Sequence, residues 1–248
     1  MMIRYIPADP AGNLTAIVLS PVAAQDRAKI AAEMMARCPE GFEQVGFADE
    51  TSLTGDLPTL CMMGGEFCGN ATRAFACYAA KVRGRGETRL AVSVSGAREP
   101  VPVAVDLRQN RAYAQMPLPY ALEWISVNKQ KIPLVRMEGI DHALLLDAAP
   151  SPEAAERVLA AMPKQDARGV LFVQGGKMTP LVEVAATGTR VWESSCGSGT
   201  VALAWYLAQN LADGMHTFAF DEPGGRLEVR VAMRAGRAAQ IEMGGAVK

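Results

Sequence analysis

Two cysteines occupy the same unusual setting. Cys68 lies in "GGEFCGNATRAFACYAA", residues 64–80, and Cys196 lies in "WESSCGSGTVALAWYLA", residues 192–208. In each, a thiol stands in a glycine-bearing turn just before an apolar, alanine-rich helical run. The first N–H groups of a helix have no intrahelical partner, and the macrodipole leaves partial positive charge there. Such an end binds anions and is expected to lower a neighbouring thiol's pKa from about 8.5 toward neutrality. Gly69 and Gly197, without side chains, would let a ligand approach the backbone closely. Each segment thus pairs a tunable acid–base group with an anion cradle. Two such units suit one reaction: a carboxylate held by both helix starts leaves its α-carbon between two sulfurs. One thiolate removes the α-proton and the opposite thiol returns a proton to the other face, inverting the stereocentre. The developing enolate charge would fall where the backbone N–H groups already point.

The other cysteines, Cys38, Cys61 and Cys77, read as small buried hydrophobes. There is no Cys-x-x-Cys pair, and the two histidines, His142 and His216, are far apart in sequence. A disulfide framework, a structural zinc site or any metal centre is therefore not expected.

The elements that position the thiols form a repeat. With Cys68 set on Cys196, seven of thirteen positions match, at an offset of 128 residues: Cys, Gly, Thr72 on Thr200, Ala74 on Ala202, Ala76 on Ala204, Tyr78 on Tyr206 and Ala80 on Ala208. "VGF" at Val45 pairs with "VLF" at Val170, and "RAYAQM" at Arg111 with "RAAQIEM" at Arg237, at nearly the same spacing. Several matches at one period indicate duplication. Each half has a strand ("TAIVLS"; "HALLLD"), a helix ("AQDRAKIAAEMMARC"; "PEAAERVLAAM"), the cysteine turn and helix, then β-rich segments such as "RLAVSVSG", "VPVAVDL" and "RLEVRVAM". The last cysteine helix, apolar on every side over "VALAWYL", has to be surrounded, and the segment after Cys68 is nearly as apolar. The fold class expected is α+β: two pseudo-symmetric domains, each a β-barrel-like sheet wrapped around a central helix. The boundary is placed in "MPLPY", giving halves 1–118 with Cys68 and 119–248 with Cys196.

Composition bounds the rest. The chain has 248 residues, half of them hydrophobic and 21% charged, enough for a sizeable core. A formal net charge of −1 gives no electrostatic reason to expect nucleic acid or an anionic membrane as partner. No apolar run approaches the roughly 20 residues of a spanning helix. The start, "MMIRYIPADP", lacks the apolar stretch of a secretory signal. A cytoplasmic protein with free thiols is expected, acting on a small molecule, and a homodimer is left open.

These motifs resemble the diaminopimelate epimerase-like superfamily of cofactor-independent amino acid racemases. The resemblance runs in order along nearly the whole chain: Gly12-Asn13, "GFEQV" at 41–45, "EFCGN" at 66–70, His142 after "GID", "VWE" ending at Glu193, "CGSGT" at 196–200 and "EPGG" at 222–225. It implies two similar domains with the site in the cleft between them, no cofactor, and Cys68 and Cys196 as the acid–base pair. It also implies that the amides of Gly69, Asn70, Gly197 and Ser198 hold the substrate carboxylate. Asn13, Gln44 and Glu193 would line the pocket, with Glu193 a candidate for the α-ammonium. Asn13 can equally shape a turn and Glu193 can cap the helix. Glu43 and His142 join the substrate-binding candidates, although both read first as structural. Glu43 could pair with an imidazole.

The departures bear on substrate. In diaminopimelate epimerases an arginine follows the glutamate of "VWE", whereas here Ser194 does, and Thr59 stands near the place of an asparagine those enzymes carry. Unpaired charges in a closed site are costly, so a doubly zwitterionic substrate is disfavoured. "GNLT", "EQVGF", "EFCGNAT" and "WESSCGSGT" look closest to the histidine racemase branch, which supplies D-histidine for opine-type metallophores. The alternatives are epimerisation of diaminopimelate or a proline derivative, and, from another class, a non-catalytic amino acid or anion receptor.

Overall fold

A computed structural model describes residues 3–37, 41–185 and 188–248. Cys38, read above as a packing residue, lies outside the described residues. The fold is α+β, and the chain divides into two compact units, 1–115 with 244–248, and 116–243. The sequence boundary at 118/119 differs from this division by three residues. It also misses the return of the last five residues to the first unit.

The first unit runs β1 (Tyr5–Ala8), β2 (Thr15–Val18), α1 (Ala24–Arg37), β3 (Gln44–Asp49), β4 (Thr59–Met62), α2 (Gly69–Val82), β5 (Glu87–Val94), β6 (Val101–Asp106) and β7 (Arg111–Gln115). The strands lie side by side in that order. Two neighbouring pairs are parallel, β2 with β3 across α1 and β4 with β5 across α2, while β1–β2, β3–β4, β5–β6 and β6–β7 are antiparallel. Alternation sorts β2 to two sides: Ala16 and Val18 pack toward α1 with Phe42, Val45 and Phe47, while Ile17 packs toward α2. The sheet folds around α2, which lies against β2 at one end and β5, β6 and β7 at the other. Small residues allow that enclosure, with Ala71, Ala74, Ala76, Ala79 and Ala80 buried beside Phe75. Burying Phe75 alone contributes about 1.5–3 kcal/mol.

The second unit runs β8 (Ala121–Val127), β9 (Gln130–Arg136), β10 (Ile140–Leu146), α3 (Pro152–Ala161), β11 (Ala167–Gln174), β12 (Lys177–Val184), β13 (Thr189–Trp192), α4 (Gly197–Ala208), β14 (Gly214–Glu222), β15 (Gly225–Arg234) and β16 (Arg237–Ala246), the last strand ending in the first unit. Strand order is β16-β15-β14-β12-β11-β10-β9-β8, with β13 attached to β12. β10 and β11 are parallel across α3, and β12 and β14 are parallel across α4. The first unit's succession of pairs therefore recurs, with β8 and β13 as additions. α4 rests on β10, β14 and β15. It is not enclosed on every side as its sequence suggests. Val201 to Ala204 are buried, but Trp205 and Tyr206 are half-buried and Leu207 is 41% exposed. Among the described residues no helix is long and apolar enough to cross a membrane.

Candidate active site

Cys68 is the N-cap of α2 and Cys196 the N-cap of α4, both with extended backbone. Ser, Thr, Asp and Asn are the good caps. Cys68 Sγ accepts from the Ala71 N–H at 3.4 Å, an ordinary length for sulfur, whereas Cys196 makes no side-chain cap bond at all. Helix stability therefore does not explain Cys196, and at Cys68 an oxygen side chain would cap at least as well. The next features do repeat. The Thr72 hydroxyl donates to the Cys68 carbonyl at 2.7 Å, and the Thr200 hydroxyl donates to the Cys196 carbonyl at 2.6 Å. The two threonines matched in the repeat thus secure the same turn twice. Gly69 and Asn70, and Gly197 and Ser198, occupy the first turn, where no carbonyl lies four residues back.

In the first unit a polar network surrounds Cys68. Asn13 is buried, and its Oδ1 accepts from Gln44 Nε2 and, at 3.3 Å, from Asn70 Nδ2, while its Nδ2 donates to Glu43 Oε2 at 2.7 Å. Asn13, Glu43, Gln44 and Asn70 are therefore brought together, Glu43 at the exposed edge. Behind them lies Arg73, fully buried, with Nε donating to Asn70 Oδ1 at 3.2 Å and one terminal nitrogen donating to the carbonyls of Gly245 (3.2 Å) and Ala246 (2.8 Å). Its other terminal nitrogen has no partner among the described residues. Burial lowers its pKa to about 10. The sequence does not single out Arg73, because α2 reads as nearly apolar; a lone charge in such a run is the signal that points to it. The turn carrying Cys68 is pinned from behind. The Ser95 hydroxyl donates to the Glu66 carbonyl at 2.9 Å, and Gly96, at φ +75°, lies so close that a Cβ there would meet the Phe67 nitrogen at 2.2 Å.

In the second unit Cys196 is 5% exposed. Its N–H donates to Glu222 Oε2 at 2.7 Å, and Glu222 Oε1 lies 2.6 Å from Thr200 Oγ1, whose one hydrogen is shared between this oxygen and the Cys196 carbonyl. Glu222, buried at the end of β14, is thus the anchor of the turn. The sequence marked it only as part of "EPGG". The Glu193 carboxylate reaches Cys196, and Ser198 Oγ lies 3.5 Å from its sulfur. His142, with no exposed surface, places Nε2 2.9 Å from Ser198 Oγ. Cys196, Ser198, Glu193 and His142 therefore converge. Gly197 is less open than its lack of a side chain suggests, since the Met243 methyl occupies the space a Cβ would approach, 2.7 Å away.

Electrostatics correct one expectation. Both thiols have raised, not lowered, pKa values. For Cys68 burial dominates, opposed by the Ala71 N–H, the Gln44 side chain and the Asn70 N–H. For Cys196, raised further, burial is joined by the charge and hydrogen bond of Glu193 and the charge of Glu222, opposed by Ser198. Desolvation plus carboxylates outweigh the helix ends. The remaining cysteines Cys61 and Cys77 are free and partly buried; Cys77 lies near Arg73, and burial pushes its thiol up to about 11. Among the described residues no group of His, Cys, Asp and Glu could hold a metal ion.

Each unit thus offers a thiol, a helix-start cradle and orienting polar groups, a set suited to moving a proton at a carbon beside a carboxylate. The fold agrees. The chain is similar to a predicted epimerase from Pseudomonas aeruginosa, with a TM-score of 0.67 at 16% identity over 100% of this chain and 96% of that one. It is also similar to a hydroxyproline epimerase from Agrobacterium vitis, with a TM-score of 0.63 at 14% identity over 99% and 90%. The fold is that of the racemase and epimerase class of isomerases. Within it, residues 2–248 match the family described as "Histidine racemase CntK N-terminal domain", and the chain belongs to that family. A histidine racemase of Fusobacterium nucleatum subsp. nucleatum is 31% identical over 221 residues, 83% of this chain and 81% of its own.

Proposed function

We propose that this protein racemises histidine without a cofactor, with Cys68 and Cys196 as the two acid–base groups, one for each face of the α-carbon. The observation that carries the reading is the pair of thiols at two helix N-caps, held by the same threonine-to-carbonyl bond at positions where an oxygen side chain would cap at least as well. The substrate is taken from the family and its named relatives. The first-turn amides of Gly69, Asn70, Gly197 and Ser198 receive the carboxylate, where enolate charge develops. Glu193 takes the α-ammonium. Asn13 and Gln44 shape the first unit's side of the pocket, and Glu43, at its exposed edge, pairs with the imidazole.

The test is incubation with L-histidine in D2O under reducing conditions, following α-deuterium incorporation and loss of optical rotation. The end point is an equal mixture, because enantiomers are isoenergetic in an achiral solvent. Absence of exchange with histidine and every other common amino acid rejects the racemase reading. Exchange with diaminopimelate or proline in place of histidine moves the assignment within the class. Free thiols suit a reducing compartment, and a cytoplasmic homodimer supplying D-histidine to an opine-type metallophore is the setting proposed. Sedimentation velocity tests the dimer, and loss of that product on deletion of the gene tests the setting.

A further inference from the structure

His142 is buried without using half of its ring. Its Nε2 meets Ser198 Oγ at 2.9 Å, but Nδ1 has no hydrogen-bond partner among the described residues. Register explains the isolation: His142 on β10 pairs with Gly169 on β11, and a Cβ at Gly169 would stand 2.1 Å from Nδ1. The ring lies against the glycine's own hydrogen. A lone pair on Nδ1 accepts such a C–H contact, whereas a hydrogen there would meet it head-on and form an orphaned buried donor. A neutral imidazole carries one N–H, and the bond at one nitrogen fixes the other. Burial holds the ring neutral, with a pKa of about 3.

We infer that His142 is a positioning residue, locked as the Nε2–H tautomer, that turns the Ser198 hydroxyl into a permanent donor toward Cys196. With Nε2–H donating to Ser198 Oγ, that oxygen is engaged as acceptor, and the hydroxyl hydrogen needs another partner. Cys196 Sγ, 3.5 Å away, is in place to take it. Were the hydrogen on Nδ1, Ser198 would donate to the ring and leave the sulfur without it. No proton passes along this chain; His142 sets a direction, and the sulfur receives a hydrogen bond that favours its thiolate. The bond matters because the other groups facing this sulfur, Glu193 and Glu222, are carboxylates that oppose ionisation. In the repeat, Ser198 falls on Asn70, so the device belongs to one half only. Its role in turnover rests on the two-thiol reading above; the tautomer does not.

The experiment has two arms. The chain holds only two histidines, so the protein labelled with 15N-histidine gives two imidazole patterns. His216, whose Nε2 faces the Ala212 carbonyl at 2.7 Å, serves as an Nε2–H reference. His142 is expected to show a directly bonded hydrogen on Nε2 and a bare Nδ1; a hydrogen on Nδ1 overturns the inference whatever the enzyme does. In the second arm, α-deuterium exchange on histidine is compared for wild type, Ser198→Ala, His142→Phe, the double variant and His142→Gln. Loss of one hydrogen bond to a charged sulfur predicts a fall in kcat of about 10- to 100-fold for Ser198→Ala. His142→Phe should match it, the double variant should be no worse than Ser198→Ala, and His142→Gln, which keeps a terminal N–H, should recover most of the rate. Additive losses, or no recovery in a folded His142→Gln, overturn it. An inactive wild type with the expected nitrogen pattern rejects the racemase reading and leaves the tautomer standing.

Discussion

Acid should weaken this protein through His142 in a way that one substitution abolishes. The ring's pKa falls from 6.5 to about 3 on burial. Between those values the unfolded chain binds a proton that the folded chain refuses, so stability declines as the pH drops below 6.5 and levels off only below the folded value. At one pKa unit per 1.36 kcal/mol, the penalty is on the order of 1 kcal/mol near pH 5.5 and 3 kcal/mol near pH 4.5. Other groups add their own slopes. Glu183, for example, is held low by Arg168 and Arg190 and loses its pairing in acid. The assay is therefore a difference: urea unfolding of wild type and His142→Gln, each at pH 7, 5.5 and 4.5. Glutamine does not titrate and can keep the bond to Ser198, so the variant should lose less stability than wild type by about those amounts. Parallel losses for the two proteins would show that the imidazole is hydrated or charged in the native state, and the reasoning would fail.

Cys68→Ser and Cys196→Ser should each cut racemisation by about 10²- to 10⁴-fold, the span of one general acid or base. Each should still eliminate a good β-leaving group from one enantiomer, with opposite preferences, and a shared preference for one enantiomer refutes the two-face assignment. The raised thiol pKa values mean that kcat/KM should still be climbing with pH through the neutral range, because the base is a thiolate whose fraction falls tenfold per unit below its pKa. The same profile is expected from either enantiomer, and a plateau already reached at pH 7 contradicts it. Arg73→Leu should cost about 2–4 kcal/mol by freeing Asn70 and the Gly245 and Ala246 carbonyls; hydrogen exchange at 244–248 should rise, and unchanged protection there would rule the anchor out.

The two thiol turns and the repeat were legible because they are local: thirteen residues, one period, and apolar runs whose length fixes a helix. The duplicated topology follows from the same order of elements. What escaped the sequence depends on residues distant along the chain. Glu222 reaches back 26 positions to the Cys196 N–H, and Gly96 matters only because β5 ends against the Glu66–Phe67 peptide. Arg73 was visible as a charge, but its partners are the carbonyls at the other end of the chain. The pKa direction went astray for a related reason. A helix start in isolation lowers a thiol's pKa; burial and carboxylates brought in by other elements reverse the sign. Of the candidate residues, Asn13 does more than shape a turn, since it joins Gln44 and Asn70.

The repeat has diverged around its sulfurs, and that divergence has a kinetic consequence. Cys68 faces donors, the Ala71 N–H, the Gln44 amide and the Asn70 N–H, with Glu66 as the opposing charge. Cys196 faces two carboxylates and one hydroxyl. The proton lost first should therefore come from Cys68, leaving Cys196 as the thiol. An equilibrium constant of one forces kcat/KM to be equal in both directions, so this asymmetry cannot bias the product. It decides instead which form of the free enzyme waits. The enantiomer that presents its α-hydrogen to Cys68 should exchange in the first turnover without delay. Its mirror image must await transfer of the resting proton and should show a lag. Rapid mixing of the enzyme with a saturating excess of each enantiomer in D2O, quenched on the millisecond scale, measures the two time courses under conditions that exhaust the less populated form. Equal first turnovers would mean that the carboxylates beside Cys196 are neutralised before chemistry, and the assignment of resting states would fall.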